Sequence, residues 1–445
     1  MKLKSIFNCI LVAILAIQLV SCDNKETLES PFGATPAERL DAKQKELNDL
    51  LESSEFGWKA VYFTDVTQLG GFTHVFKFKD GKVDMASDFD DDTSVYSSEY
   101  SIELGSTTSL LFSTSNRIHL LSDSNNAPTA ALRGKGYKGD FQFLYYGQEN
   151  GEIIFRTNRS FEELRFVKAT AADWTNLAKA RAMIPNVIGA SSRPLFRLLE
   201  TNDGSKINQF DFTFTPASRY AVANSIVAGS SFSYNVGIAY TATGITVQPA
   251  VKVGTQELTD FTYDAATGSF TATGTGGVSA TIKYSNKPLV ITTDYLPFLD
   301  GNPSTAFGYI ASFLSTAPTN SDVTKSLLAE INANLPAGVT ISRVQFQFNT
   351  AFGSYIQYQF AGGKATEFHI ILTSEDPVNK TIIFTDDGWN SGSEPAILKK
   401  IDAELLNPKG LYVKRESFQF GGPPNTIYTF TSASSNFRLT TYAFQ

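Results

Sequence analysis

The sequence predicts a mainly β protein made of antiparallel barrel- or sandwich-like units, each headed by a single α-helix. Three observations carry this. Aromatic residues make up 13% of the chain, with 35 Phe and 18 Tyr, a composition that suits half-buried pleated strands better than helices. Period-two runs such as Phe72, His74, Phe76 and Phe78 alternate apolar and polar faces and are bounded by turn dipeptides such as Asp80-Gly81 and Asn150-Gly151. A capped helix followed by a Phe-x-Phe strand also recurs, with its central Phe at 76, 212 and 346, at nearly equal intervals.

The first segment is an address. Lys2 and Lys4 precede an apolar run from Ile6 to Val20, interrupted only by Asn8 and Gln18. It is too short for a membrane-spanning helix, which needs about twenty residues, and reads as the core of a signal peptide. Leu19-Val20-Ser21-Cys22 is a lipobox. We therefore expect residues 1–21 to be removed, Cys22 to carry diacyl lipid of palmitate type, and residues 22–35 to form a tether. More than one acyl chain gives stable anchoring. Cys9 would be lost with the signal, so the body has no thiol chemistry. No second segment is apolar enough to cross a membrane.

Thr35-Pro36-Ala37-Glu38 is a capped helix start, and Leu40, Leu47, Leu50 and Leu51 form its apolar stripe. From Trp58 the period changes to two, through Phe72–Phe78, Val83–Met85, Tyr100–Leu104, Leu110–Phe112, Ile118–Leu120, Phe141–Tyr145, Ile153–Phe155 and Leu164–Phe166. A second helix is expected from Thr170, with Asp173 reaching back, to Pro185. Strands then follow to Tyr284. A third helix is capped by Ser321, and a fourth runs from about Glu394 to Leu406. The resulting units are 36–168, 169–315 and 316–445. The inward Phe rows are the expected core, with Lys and Gln facing water.

The formal charge of −7 is scattered, with no basic stripe, which argues against a nucleic-acid partner. The densest charge cluster is Asp88-Phe89-Asp90-Asp91-Asp92. Asp88, Asp90, Asp92 and Glu99 fall at the first, third, fifth and twelfth positions of a calcium loop. Thr93 occupies the place where that loop needs Gly, and the flanks read as strands. The two readings are a solvated acidic loop and a non-EF-hand Ca²⁺ site; no other cofactor is expected. His74, His119 and His369 show no metal-ligand spacing and read as satisfied histidines in strands. There is no nucleophile elbow, phosphate loop or dinucleotide fingerprint. Aromatic side chains are the candidate binding groups: Trp389, Trp58 and Tyr137 first, then Trp174, Tyr145 and Tyr146. Trp389 leads, because Asp386-Asp387-Gly388-Trp389-Asn390-Ser391-Gly392 reads as an exposed polar loop, where an aromatic calls for a functional explanation.

These residues resemble a family of Bacteroidota cell-surface lipoproteins known as a domain of unknown function. The lipobox at Cys22 carries part of the likeness. So do Leu50-Leu51-Glu52-Ser53, Gly57-Trp58-Lys59-Ala60, Gly70-Gly71-Phe72 and Leu111-Phe112-Ser113-Thr114-Ser115-Asn116 with His119. Gly136-Tyr137-Lys138-Gly139-Asp140-Phe141-Gln142-Phe143 and Asn407-Pro408-Lys409-Gly410-Leu411-Tyr412-Val413 complete it. The resemblance implies genes beside starch-utilisation-type outer-membrane importers and a lipoprotein of zinc-metallohydrolase type. It supplies no catalytic residue. On this basis the expected protein is a surface-exposed outer-membrane lipoprotein. It would hold the membrane by its lipid and bind a glycan, a peptide or a transporter complex during nutrient uptake. A glycan or peptide hydrolase using clustered carboxylates is the alternative, and a structural or adhesive surface protein is a third.

Overall fold

The computed structural model describes residues 36–105, 107–190, 193–420 and 424–444; the lipobox and tether lie outside these. Among the described residues, twenty-four strands form three closed eight-stranded antiparallel barrels, β1–β8 (58–168), β9–β16 (196–285) and β17–β24 (305–444). Each closes on itself: Trp58 pairs with Lys168, Phe196 with Ser285, and Ala306 with Phe444. The expected mainly β class and barrel-like units are thus what the chain forms.

The Phe repeat has a structural counterpart. Phe76, Phe212 and Phe346 all lie on the second strand of their barrel, in β2 (Gly71–Lys79), β10 (Ile207–Thr215) and β18 (Thr340–Thr350). All three are buried. In the first barrel Phe76 stacks on Phe166 at 4.8 Å and on Phe112 at 5.4 Å. In the third, Phe346 stacks on Phe430 at 4.8 Å. Eight-stranded barrels have just enough interior for side chains, and these rings fill it.

Helix α1 (Pro36–Glu52) precedes the first barrel and buries Leu47 and Leu51 against it. Helices α2 (Ala171–Ala182) and α3 (Ile184–Ile188) precede the second. Asp173 accepts from the Thr170 backbone N–H at 2.8 Å, the reciprocal cap expected from the sequence.

The third barrel departs from the pattern. Its first strand, β17 (Thr305–Ile310), pairs with β18 and with β24 (Arg438–Phe444). The division placed after residue 315 therefore falls inside this barrel. Helices α4 (Ala311–Leu314) and α5 (Asp322–Ala333) are inserted after the first strand rather than before it. The Ser321 hydroxyl does cap α5, accepting from Thr324 N–H, and that strong start signal drew the boundary too late.

Ile118–Leu120 is a second correction. The segment is a 3₁₀ helix over Arg117–Leu121 rather than a strand. Asn116 Oδ1 accepts from Arg117 N–H at 2.8 Å, and His119 Nδ1 accepts from the Asn116 N–H at 3.1 Å. These side-chain bonds compete locally with a sheet ladder.

The first two barrels are locked together by Arg219, whose backbone has φ +50°. Its guanidinium reaches both Asp88 carboxylate oxygens at 3.1 and 3.2 Å, the Asp88 carbonyl at 2.6 Å and the Gly71 carbonyl at 2.9 Å. It lies over the Phe72 and Tyr240 rings. Gly70 N–H donates to Ser218 C=O at 2.8 Å. A Cβ on Gly70 would sit 2.3 Å from the Arg219 carbonyl oxygen, so the backbones meet only because no side chain stands there. The second and third barrels meet through Asn436, which donates to the Arg193 carbonyl at 2.9 Å. A cleft of about 360 Å³ between them is walled by Phe196, Phe212, Tyr412 and Arg438.

Candidate functional site

Four neighbouring elements at one end of the third barrel bring together the only histidine–carboxylate cluster held by two short contacts among the described residues. Tyr358 comes from β19 (Gly353–Ala361), and His369 from β20 (Glu367–Asp376). Asp386 and Trp389 come from β21 (Thr381–Trp389), and Asp402 from α6 (Lys399–Leu405). A bulge makes this possible. His369 is in register with Trp389, and Ile370 with Gly388, but Ile371 is opposite Asp386. One extra residue, Asp387, is accommodated next to Gly388 at φ +123°. Asp386 and Trp389 can then share the face of their register partners although they are three apart; re-aiming a side chain is a common role of bulges.

His369 is 1% exposed. Its Nδ1 lies 2.9 Å from Asp402 Oδ1, and its Nε2 lies 2.8 Å from Asp386 Oδ1. Burial by itself would push the imidazole pKa down. The hydrogen bond and charge of Asp402, followed by those of Asp386, more than offset this and raise it. Asp386 is correspondingly lowered, first by His369 and then by the Gly388 N–H. Tyr358 donates to Asp402 at 2.7 Å, and burial followed by the Asp402 charge holds its phenol well above the usual range. The result is an imidazole clamped between a buried and an exposed carboxylate that favour its protonated form.

The Trp389 indole stacks on His369 at 4.3 Å and 18°, with Tyr358 parallel beyond at 6.0 Å. Strands β19 and β20 both lie on one side of β21. On the other side the pairing of β21 with β22 (Leu411–Arg415) is reduced to Ile382 opposite Leu411. A cavity of about 380 Å³ adjoins the cluster, lined by His369, Asp386, Trp389, Ser393, Glu394 and residues of α6.

The other sequence candidates go elsewhere. Trp389 itself closes a strand and packs on the core instead of standing on an exposed loop. Trp58 is fully buried, and its indole N–H donates to the Leu51 carbonyl at 2.8 Å; it is core. Tyr137 wedges edge-on against Phe72 and Phe89 and donates to the Ala217 carbonyl at 3.1 Å, across the interface of the first two barrels. Trp174 donates to the Phe56 carbonyl at 3.0 Å.

The acidic quartet is dispersed. Asp88 is buried on Arg219, Asp90 pairs with Arg117, Asp91 with Arg181, and Asp92 accepts from the Tyr96 hydroxyl. Glu99 lies in strand β4 (Tyr96–Leu104). No group of three or more His, Cys, Asp or Glu suited to a metal ion occurs among the described residues. Cys22 lies outside the described residues. His74 is fully buried, and burial pushes it down to about 3.

What sequence reasoning missed was the partnership of His369. Asp386-Asp387-Gly388 has the look of a tight turn, and Asp402 lies beyond hydrogen-bonding reach in sequence. One signal was present: in Ile401-Asp402-Ala403-Glu404-Leu405 a carboxylate sits on the apolar stripe of a short helix. A buried charge on such a stripe requires a partner.

The family model described as a domain of unknown function (DUF4302) matches residues 29–265, more than half of the chain. The protein belongs to the DUF4302 family. In this DUF4302 protein the matched segment takes in the first barrel and the second as far as β14 (Gln256–Asp264); the cavity lies beyond it. No curated protein matches the chain. Among solved structures, the DNA polymerase sliding clamp from Bacillus subtilis aligns over 92% of this chain and 97% of its own, at 10% identity and a TM-score of 0.17. At that score no common fold is established.

Proposed function

We propose that this DUF4302 protein is a non-catalytic, lipid-anchored envelope protein that captures a glycan or peptide ligand in the third-barrel cavity as an accessory to outer-membrane nutrient uptake. The lipobox at Cys22 and the sequence resemblance support the location and the uptake role. The observation that carries the binding reading is the Trp389–His369–Asp402 stack. It places an indole in the wall of a cavity while both imidazole nitrogens are tied to carboxylates. A general base needs a nitrogen lone pair within reach of a substrate proton, and His369 has neither nitrogen to spare. A glycosidase needs one protonated and one ionised carboxyl group flanking the bond. Here Asp386 is held ionised, and Asp402 is buried beneath His369.

The test is a glycan and peptide array against the body from Thr27 onward, alongside the Trp389→Leu variant. The expected result is a binder that the variant loses. An array with no binder, or a binder unaffected by the variant, would overturn the reading. A pull-down from outer membranes tests the uptake role, which recovery of inner-membrane proteins alone would contradict. The hydrolase reading retains one favourable observation, the convergence of His369 with two carboxylates in one cavity. Turnover of a bound oligosaccharide or peptide that Asp386→Asn abolishes would establish it instead.

A further inference from the structure

The lining of the cavity specifies what kind of ligand it suits. Asp386 uses only Oδ1, for His369 and for the Gly388 N–H; Oδ2 has no hydrogen-bond partner among the described residues, and the side chain is 65% exposed. Glu394 is exposed and likewise makes no hydrogen bond among them. Among the described residues, no Lys or Arg lines the cavity. His369 does line it, but it is 1% exposed and held between two carboxylates, so with Glu394 added the lining carries more carboxylates than cationic groups. The aromatic wall is a separate feature: a partly buried indole near-parallel to two further rings and packed against the core, and so fixed in orientation.

Resting on the reading of this cavity as a binding site, we infer that it takes an amino sugar with a free amino group. The pyranose ring packs against Trp389 in the cavity wall, and Asp386 and Glu394 supply the counter-charge for the ammonium. An indole favours both a flat C–H face and a nearby cation, and an ionised acceptor strengthens the ammonium hydrogen bond. A neutral or N-acetylated sugar would use the ring and leave both carboxylates uncompensated. An anionic sugar would meet like charge.

Calorimetric titration of the intact, detergent-solubilised chain decides this, with four probes: glucosamine oligomers, N-acetylglucosamine oligomers, neutral glucose oligomers and an oligolysine peptide. Glucosamine oligomers should bind about tenfold more tightly than the N-acetylated form, a difference of about 1.4 kcal/mol, and raised salt should narrow the gap. Glu394→Gln lies outside the His369 clamp. It should reduce the preference several-fold while leaving the circular dichroism and melting temperature unchanged. Equal binding of acetylated or neutral oligomers would overturn the inference and leave the binding site standing. Oligolysine binding without glucosamine binding would also overturn it. No binding by any probe would remove both this inference and the glycan reading beneath it.

Discussion

Replacing Arg219 with Met tests whether the first two barrels are fused by one buried ion pair. Met keeps a stem over Phe72 and Tyr240 but removes every donor. Asp88 is 0% exposed, and its side chain would be left with the Thr73 N–H at 2.9 Å as its remaining hydrogen bond. The Gly71 and Asp88 carbonyls would lose donors as well. Breaking one partner of a buried pair costs about 3–5 kcal/mol, against about 0–1 kcal/mol for an exposed pair. We expect the larger figure, read from urea unfolding at pH 7. The deficit should shrink as pH falls. Burial already raises the Asp88 pKa against the opposing pull of Arg219, and losing Arg219 raises it further. The folded variant then takes up a proton that the unfolded chain does not, which favours folding at lower pH. Adding Asp88→Asn should therefore recover most of the loss. A loss below about 1 kcal/mol for Arg219→Met, close to that of an exposed pair, or a further loss on adding Asp88→Asn, would refute the reasoning.

Three further outcomes are expected. His74 is held at about 3 in the fold against about 6.5 unfolded; the unfolded chain binds the extra proton below that value, so stability should fall by about 2 kcal/mol from pH 7 to pH 5. His74→Leu should flatten that slope in denaturant titrations. The His369 pKa is raised, so its contribution is fully present below about pH 6.5 and is lost as pH rises through the folded value; Asp386 is lowered, and its contribution is lost as pH falls through its own folded value. Asp402→Asn should abolish the alkaline loss, followed by the imidazole proton resonances. Gly70→Ala would bring a methyl to 2.3 Å from one carbonyl oxygen and 2.4 Å from another and should cost about 1–3 kcal/mol, measured by thermal unfolding.

The barrels were legible because their signal is local and repeated. Alternation in Phe72–Phe78 and Phe210–Phe214 states which face is buried, and Asp80-Gly81 and Asn150-Gly151 state where the chain reverses. That the sheets close could be expected; how the third unit is threaded could not. Thr305–Ile310 follows the turn signal Asp300-Gly301-Asn302-Pro303, but the Ser321 cap after it is the stronger local start, and local strength does not decide where a barrel begins. The site was legible in its residues and hidden in its connections. Trp389 stood out for its polar neighbours, yet a bulge, set by pairing with β20, decides that it faces the barrel. Asp88 looked like a ligand for a cation and is one, but the cation is Arg219 from the next barrel, far along the chain. Spacing within one segment reports local geometry only, and both of these partnerships are tertiary.

The single ladder pair between β21 and β22 makes the third barrel unlike a fully laced cylinder. Beyond Ile382, β21 has no ladder partner on the β22 side among the described residues, and the nearby α6 is held to the barrel by Asp402 through His369 and Tyr358. Open strand rims recruit other strands. Releasing α6 by removing the Asp402 tie should therefore turn a self-contained ring into a sticky one. Concentration-dependent light scattering by an Asp402→Ala protein at temperatures where it is still folded would reveal that change, and clear solutions at every concentration would count against it.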